Sequence, residues 1–189
     1  MDRAQAFDLL CKNTKTDSLR RHALCVEGTM RYFARLYNED VEWWGMVGLL
    51  HDLDFEQHPD NHCAVTPILL RDAGFDEIFV HAVLSHGYGM CTNVEPVLPM
   101  EKALYAADEL TGFVTACALM RPSKSVMDLE VKSVKKKFKT ASFAASVKRE
   151  VIELGAERMG MPLDELIKHV IMALREIADD IGFGMPKEE

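Results

Sequence analysis

Apolar residues recur along this chain at helical rather than alternating spacing, so the pattern predicts helices almost throughout. A short amphipathic start covers 2–11. Leu19, His22, Val26, Met30 and Phe33 form one stripe and predict a long helix over 19–37 with Ser18 as its N-cap. Asn38-Glu39-Asp40 breaks it. A second helix follows over 41–52, with Val41, Trp44, Gly48 and His51 on one face; its small Gly45 and Gly48 admit a close neighbour. Residues 53–59 read as an ordered loop, and further helices are expected over 61–73 and 76–85. The stretch 87–99 holds two Gly and two Pro and reads as loop. A third long helix is predicted over 100–120, with Leu104, Ala107, Thr111, Val114 and Ala118 inside and Pro122 beyond its end. Shorter helices are expected over 128–137 and 142–158. Gly160 and Pro162 introduce a final amphipathic helix with Leu163, Leu166, Val170, Leu174, Ile177 and Ile181 inside, facing either the core or a second subunit. With no strand pattern, repeat or linker, the expectation is one all-α domain over 1–189: a helical bundle with its core at about 18–120 and a C-terminal helical extension at about 121–182.

Composition narrows the class. At 189 residues and 48% apolar, the chain can bury a core without disulfide staples. Its five cysteines form no close sequence pair, so neither a CxxC redox motif nor a zinc ribbon is written here. The odd cysteine count and the lack of a signal-peptide pattern lead to the expectation of a reduced, cytoplasmic setting. No apolar run approaches the ~20 residues that span a bilayer, so no membrane insertion is expected. A net charge of −8 argues against general nucleic-acid binding. The charge is uneven, however: residues 121–148 carry eight basic and two acidic residues. That segment is either a solvated helix face or an anion-attracting patch suited to a small phosphorylated substrate.

The candidate chemistry lies on the long helices. His51-Asp52 ends the most apolar one. Chance alone supplies roughly 0.5 such dipeptides in a chain with this His and Asp content, so its neighbours must carry the case. His22 lies in the apolar stripe of the preceding long helix, where a lone imidazole is commonly a satisfied core residue. Asp108 follows Ala106-Ala107 one turn from Leu104 and Thr111, on the inner side of the third long helix. A carboxylate placed there needs a cation, strong donors or a metal. Together His22, His51, Asp52 and Asp108 make a mixed N/O set suited to a divalent ion such as Mn, Fe, Zn, Ni, Co or Mg. Water positions remain open for catalysis.

The order His22, His51-Asp52, Asp108 resembles the H…HD…D signature of the HD-domain superfamily of metal-dependent phosphohydrolases. The stretches 49–56, 104–112, 121–125 and 132–138 resemble its small HDIG-type predicted hydrolases. Leu53-Asp54 stands where many relatives have Ile-Gly. The resemblance implies an all-α HD domain, with His22, His51, Asp52 and Asp108 as metal ligands. It implies a metal-activated water that attacks a phosphorylated compound such as a nucleotide or phosphomonoester. Lys124, with Arg121 or Lys135, then clamps the phosphate. Asp54, Glu56 and His86 are the candidate acid/base groups, Asp54 and Glu56 alternatively orienting the ligand imidazoles. His58 and His62 fall in a polar loop and read as exposed or structural, and buried thiols such as Cys63 read as packing. A single ion with four protein ligands is the first expectation. A two-ion enzyme (phosphodiesterase or di-iron oxygenase) using His86 with His58 or His62 is the second, and a non-catalytic metal- or ligand-binding module the third.

Overall fold

The computed structural model describes residues 1–186, so the last three residues of the expected 1–189 domain lie outside the described residues. The chain is all-α: among the described residues there is no strand, only an isolated bridge between Tyr88 and Thr92. Its contacts divide into two compact units, Met1–Tyr105 and Ala106–Glu189. Among the described residues no helix is long and apolar enough to cross a membrane.

The first unit holds α1 (Arg3–Asn13), α2 (Asp17–Tyr37), α3 (Val41–Leu50), α4 (Thr66–Asp72) and α5 (Glu77–Leu84). Asp2 opens α1 with a capping box, its carboxylate accepting from Gln5 N–H while the Gln5 side chain accepts from Asp2 N–H. The N-cap of α2 is Thr16, not Ser18. The Glu56 carboxylate explains the shift, because it accepts from Thr16 N–H, Thr16 Oγ1–H and Lys15 N–H and so fixes the chain two residues earlier. Asn38 ends α2 in the left-handed region (φ 57°), and Asp40 caps α3 through Glu42 N–H and Trp43 N–H.

α3 packs on α1, α2 and α5. Glycine permits the α2–α3 approach: a Cβ on Gly48 would lie 2.9 Å from Met30 Cγ and 3.0 Å from the Val26 carbonyl oxygen. Val26, Met30 and Phe33 of α2 and Val47, Leu49 and Leu50 of α3 are fully buried. Each large apolar side chain there contributes roughly 1.5–3 kcal/mol. The helix expected over 61–73 starts only at Thr66. The backbone N–H groups of Cys63, Val65 and Thr66 all donate to the Asp54 carboxylate, which competes with helix bonding and anchors the start of α4.

The second unit holds α7 (Val131–Phe138), α8 (Arg149–Arg158) and α9 (Leu163–Glu176), with α9 packed on α7 and α8. The long α6 (Pro99–Leu119) begins in the first unit and ends in the second. The helix expected over 142–158 is present only from Arg149. The Arg149 guanidinium takes the carbonyls of Phe138, Thr140, Phe143, Ala144 and Val147 and stacks over Phe113, holding 140–147 as turns. Likewise α9 stops at Glu176, so Ile177 and Ile181 are buried or capping outside it. Phe183 there donates to Ala178 and accepts from Val126 N–H, while Arg175 caps the carbonyls of Val126 and Leu129.

Candidate metal centre

Four imidazoles of the first unit converge on one carboxylate. His22 projects from α2, His51 follows α3, His62 lies in the loop before α4, and His86 lies in the 3-10 turn after α5. On Asp52, Oδ2 lies 3.3 Å from His51 Nε2 and 3.8 Å from His22 Nε2. The other oxygen, Oδ1, lies 3.2 Å from His62 Nε2 and 3.5 Å from His86 Nε2. His51 and His86 are buried, His62 nearly so, and the Asp52 side chain keeps 21% exposure, which leaves the cluster a path to solvent. The rings pack edge to face, His51 with His22 at 5.2 Å and with His86 at 5.1 Å.

Local backbone sets each ring. His51 Nδ1 lies 2.7 Å from the Gly48 carbonyl oxygen and His86 Nδ1 lies 2.6 Å from that of Val83. His62 Nδ1 lies 2.8 Å from Asp54 Oδ1. A carbonyl or carboxylate oxygen only accepts, so all three Nδ1 atoms carry the proton and donate. In a neutral ring each Nε2 is then a lone pair, and all three lone pairs face Asp52. His62 Nε2 and His86 Nε2 also face each other at 3.0 Å. Acceptors turned on acceptors require cations between them, as protons or as metal ions.

The shortest of these distances are those of hydrogen bonds, so protons fill the gaps in the metal-free chain, and the same spacing also suits an ion. Two atoms bound to one ion at about 2.1 Å stand roughly 3.0–3.4 Å apart, depending on octahedral or tetrahedral angles. Three of the four Asp52–imidazole separations, and the His62–His86 separation, fall at or within 0.1 Å of that range. Imidazole and carboxylate are donors for borderline divalent ions, and a second oxygen acceptor on each Nδ1–H is the usual support for such a ligand. The donor set therefore fits a metal. One ligand atom each from His62, Cys63 and His86 also lies within 4.8 Å of the others.

Electrostatics follow the same arrangement. Burial alone would raise Asp52, but His51, His62 and His86 hold its carboxyl well below the usual range. Burial would lower His62, yet its bonds to Asp52 and Asp54 push it up to about 10. Asp54 is buried and accepts four donors: His62 Nδ1–H and the N–H groups of Cys63, Val65 and Thr66. Against the cost of burial, these hold it far below the carboxylate range. Next to His62, Cys63 takes a left-handed backbone (φ 70°) and its Sγ lies 3.0 Å from Cys91 Sγ. That contact draws the Cys91 thiol down to about 6 against the opposing effect of burial.

The residues singled out in the sequence divide as follows. His22, His51, Asp52, Asp54 and His86 meet in this cluster. Asp54 takes the orienting position of its two expected ones, and the His86 Nε2 joins the groups around Asp52. His62, whose polar loop reads from the sequence as exposed or structural and which only the two-ion alternative enlists, is central to the cluster. The signal that finds it is Asp54 in an apolar context eight residues earlier, a carboxylate that requires donors. His58 is exposed, and Glu56 turns to the start of α2. In the second unit Asp108 is half-buried on α6. Arg121 is engaged bidentately by Asp128, Lys135 pairs with Asp164, and Lys124 is exposed in a left-handed turn (φ 51°). Comparison with protein-family models, with curated proteins and with solved structures returns no match.

Proposed function

We propose that this protein is a metal-dependent phosphohydrolase of the HD-domain type, acting on a small phosphorylated compound. The observation that carries the metal centre is the division of imidazoles over Asp52, with His51 and His22 on one oxygen and His62 and His86 on the other. With imidazoles beside each of its oxygens, Asp52 would serve two ions, one with His22 and His51 and one with His62 and His86, so the two-ion form is preferred over the single-ion form. The H…HD…D order adds Asp108 as a further ligand. Divalent ions in such a centre supply Lewis acidity toward a phosphoryl oxygen and a nucleophile at neutral pH.

The chain's own residues hold the centre ready. The Gly48 and Val83 carbonyls orient the rings of His51 and His86, and Asp54 orients that of His62, so three Nε2 atoms are aimed at Asp52 before any ion arrives. Asp54, with four donors, is a positioning residue. Its low proton affinity makes it unsuited to carry a proton at neutral pH. Of the basic residues expected to hold phosphate, Lys124 is the one assigned the clamp, since Arg121 and Lys135 are each occupied by a carboxylate.

The test is a screen of nucleotides and phosphomonoesters with the purified chain and several divalent metals. Metal-dependent release of inorganic phosphate, abolished by chelator and by Asp52→Ala, is the expected result. Metal binding without phosphate release from any phosphate ester overturns the hydrolase reading in favour of a binding module.

A further inference from the structure

Cys63 and Cys91 form a pair beside the imidazoles gathered around Asp52. Their sulfurs lie 3.0 Å apart, Cys63 buried and Cys91 exposed, and both are free thiols. The pair is held from both ends. Cys63 directly follows His62, and its N–H is bound to Asp54. Cys91 belongs to a tight turn in which the Gly87 carbonyl accepts from the N–H groups of Met90, Cys91 and Thr92. Gly87 itself follows His86, and a Cβ there would lie 2.3 Å from Cys91 Sγ and 3.1 Å from Cys63 Sγ. Only glycine leaves room for the two sulfurs at this point. Cys63 Sγ is also 3.9 Å from His86 Nε2. A bond between the sulfurs would therefore tie the His62 loop to the His86 turn, the two segments that share Asp52 Oδ1.

We propose that Cys63 and Cys91 are a site of reversible oxidation, where a hydroperoxide converts the two thiols to a disulfide that weakens the ion held by His62 and His86. The coupling rests on the two-ion centre proposed above. The Cys91 sulfur, facing solvent, attacks the terminal peroxide oxygen; the O–O bond breaks and leaves Cys91 as a sulfenic acid, with its thiol proton passing to the departing oxygen. The Cys63 sulfur then attacks the Cys91 sulfur. The S–S bond forms, the S–O bond breaks, and the departing hydroxyl takes the Cys63 proton to leave as water. Two thiols lose two electrons in all, and the hydroperoxide is reduced to an alcohol (or water) and water. Closing the sulfurs from 3.0 Å to a bonded distance of about 2.05 Å moves one or both segments by roughly 1 Å. It also removes the Cys63 thiol as a donor beside His62 and His86.

The experiment treats the reduced, metal-free chain with hydrogen peroxide, maps its thiols by peptide mass, and titrates zinc into both forms. The expected result is loss of two hydrogens at a Cys63–Cys91 cross-link and a weakening of the looser zinc site by about 10-fold. A dithiol reductant restores both, and in Cys91→Ser peroxide leaves zinc affinity unchanged. Cys63 and Cys91 remaining as thiols, or oxidised singly without a cross-link, overturn the proposal. A cross-link that leaves both zinc sites unchanged overturns the coupling alone, whereas a reduced chain that binds no zinc overturns the metal centre and the coupling with it.

Discussion

Asp54→Asn removes one charge from a buried carboxylate whose two oxygens each take two donors. Oδ1 accepts from His62 Nδ1–H and Cys63 N–H, and Oδ2 from Val65 N–H and Thr66 N–H. An asparagine retains one acceptor oxygen and presents an NH2 group at the other position. Whichever way the amide turns, two N–H donors then face a donor. Hydrogen bonds to a charged acceptor contribute about 1.5–3 kcal/mol each, so loss of two costs roughly 3–6 kcal/mol. For a chain of this size, at about 2–4 °C per kcal/mol, Tm falls by roughly 6–24 °C. The remaining acceptor is neutral, and where the NH2 takes the Oδ1 position His62 loses its orienting bond, which lowers metal affinity by about 10–100-fold. Thermal unfolding followed by circular dichroism, paired with zinc titration, reads both effects. An Asp54→Asn chain that melts with the parent and binds zinc equally well refutes the latch.

Further predictions concern pH, packing and the phosphate contact. His62 is held at about 10 in the metal-free chain, so the stability from its bonds to Asp52 and Asp54 is fully present below its unfolded pKa of about 6.5 and is lost as pH rises through 10. Zinc requires the deprotonated rings, so the Tm increase given by a fixed zinc concentration grows over the same rise in pH; an increase that shrinks contradicts the assignment. Gly48→Ala pushes a methyl to within about 3 Å of Met30 and the Val26 carbonyl, costing roughly 1–3 kcal/mol in chemical denaturation and disturbing the carbonyl that orients His51. An unchanged midpoint counts against the close α2–α3 contact. Lys124→Ala raises KM for the phosphorylated substrate about 10-fold, equivalent to ~1.4 kcal/mol, with metal content intact. Asp108→Ala instead removes metal and turnover. Equal effects of the two substitutions contradict these separate roles.

The helices were legible in the sequence because each long one buries a stripe at helical spacing, as Val26, Met30 and Phe33 do in α2. The helix bounds depart from that pattern where a side chain captures backbone groups from a distance. Glu56 resets the start of α2, Asp54 delays α4, and Arg149 unwinds 140–147; none of these pairings has a local sequence signature. The same cause leaves His62 undistinguished from His58 in the sequence, both being candidates only in the two-ion alternative. Its loop is polar, and periodicity carries no information about a ring held by a carboxylate eight residues away. His51 and Asp52, at the end of an apolar helix, announced themselves. The Cys63–Cys91 contact spans 28 positions and depends on the missing side chain of Gly87, so no spacing rule in the sequence points to it.

The most direct test of the metal centre is the number of ions bound per chain, counted by elemental analysis of protein loaded with zinc or manganese and freed of excess metal. Two ions per chain are expected, falling to one or none in His62→Ala, since His62 and His86 flank a separate oxygen of Asp52. A single ion per chain, unaffected by loss of His62, contradicts the bridging role of Asp52.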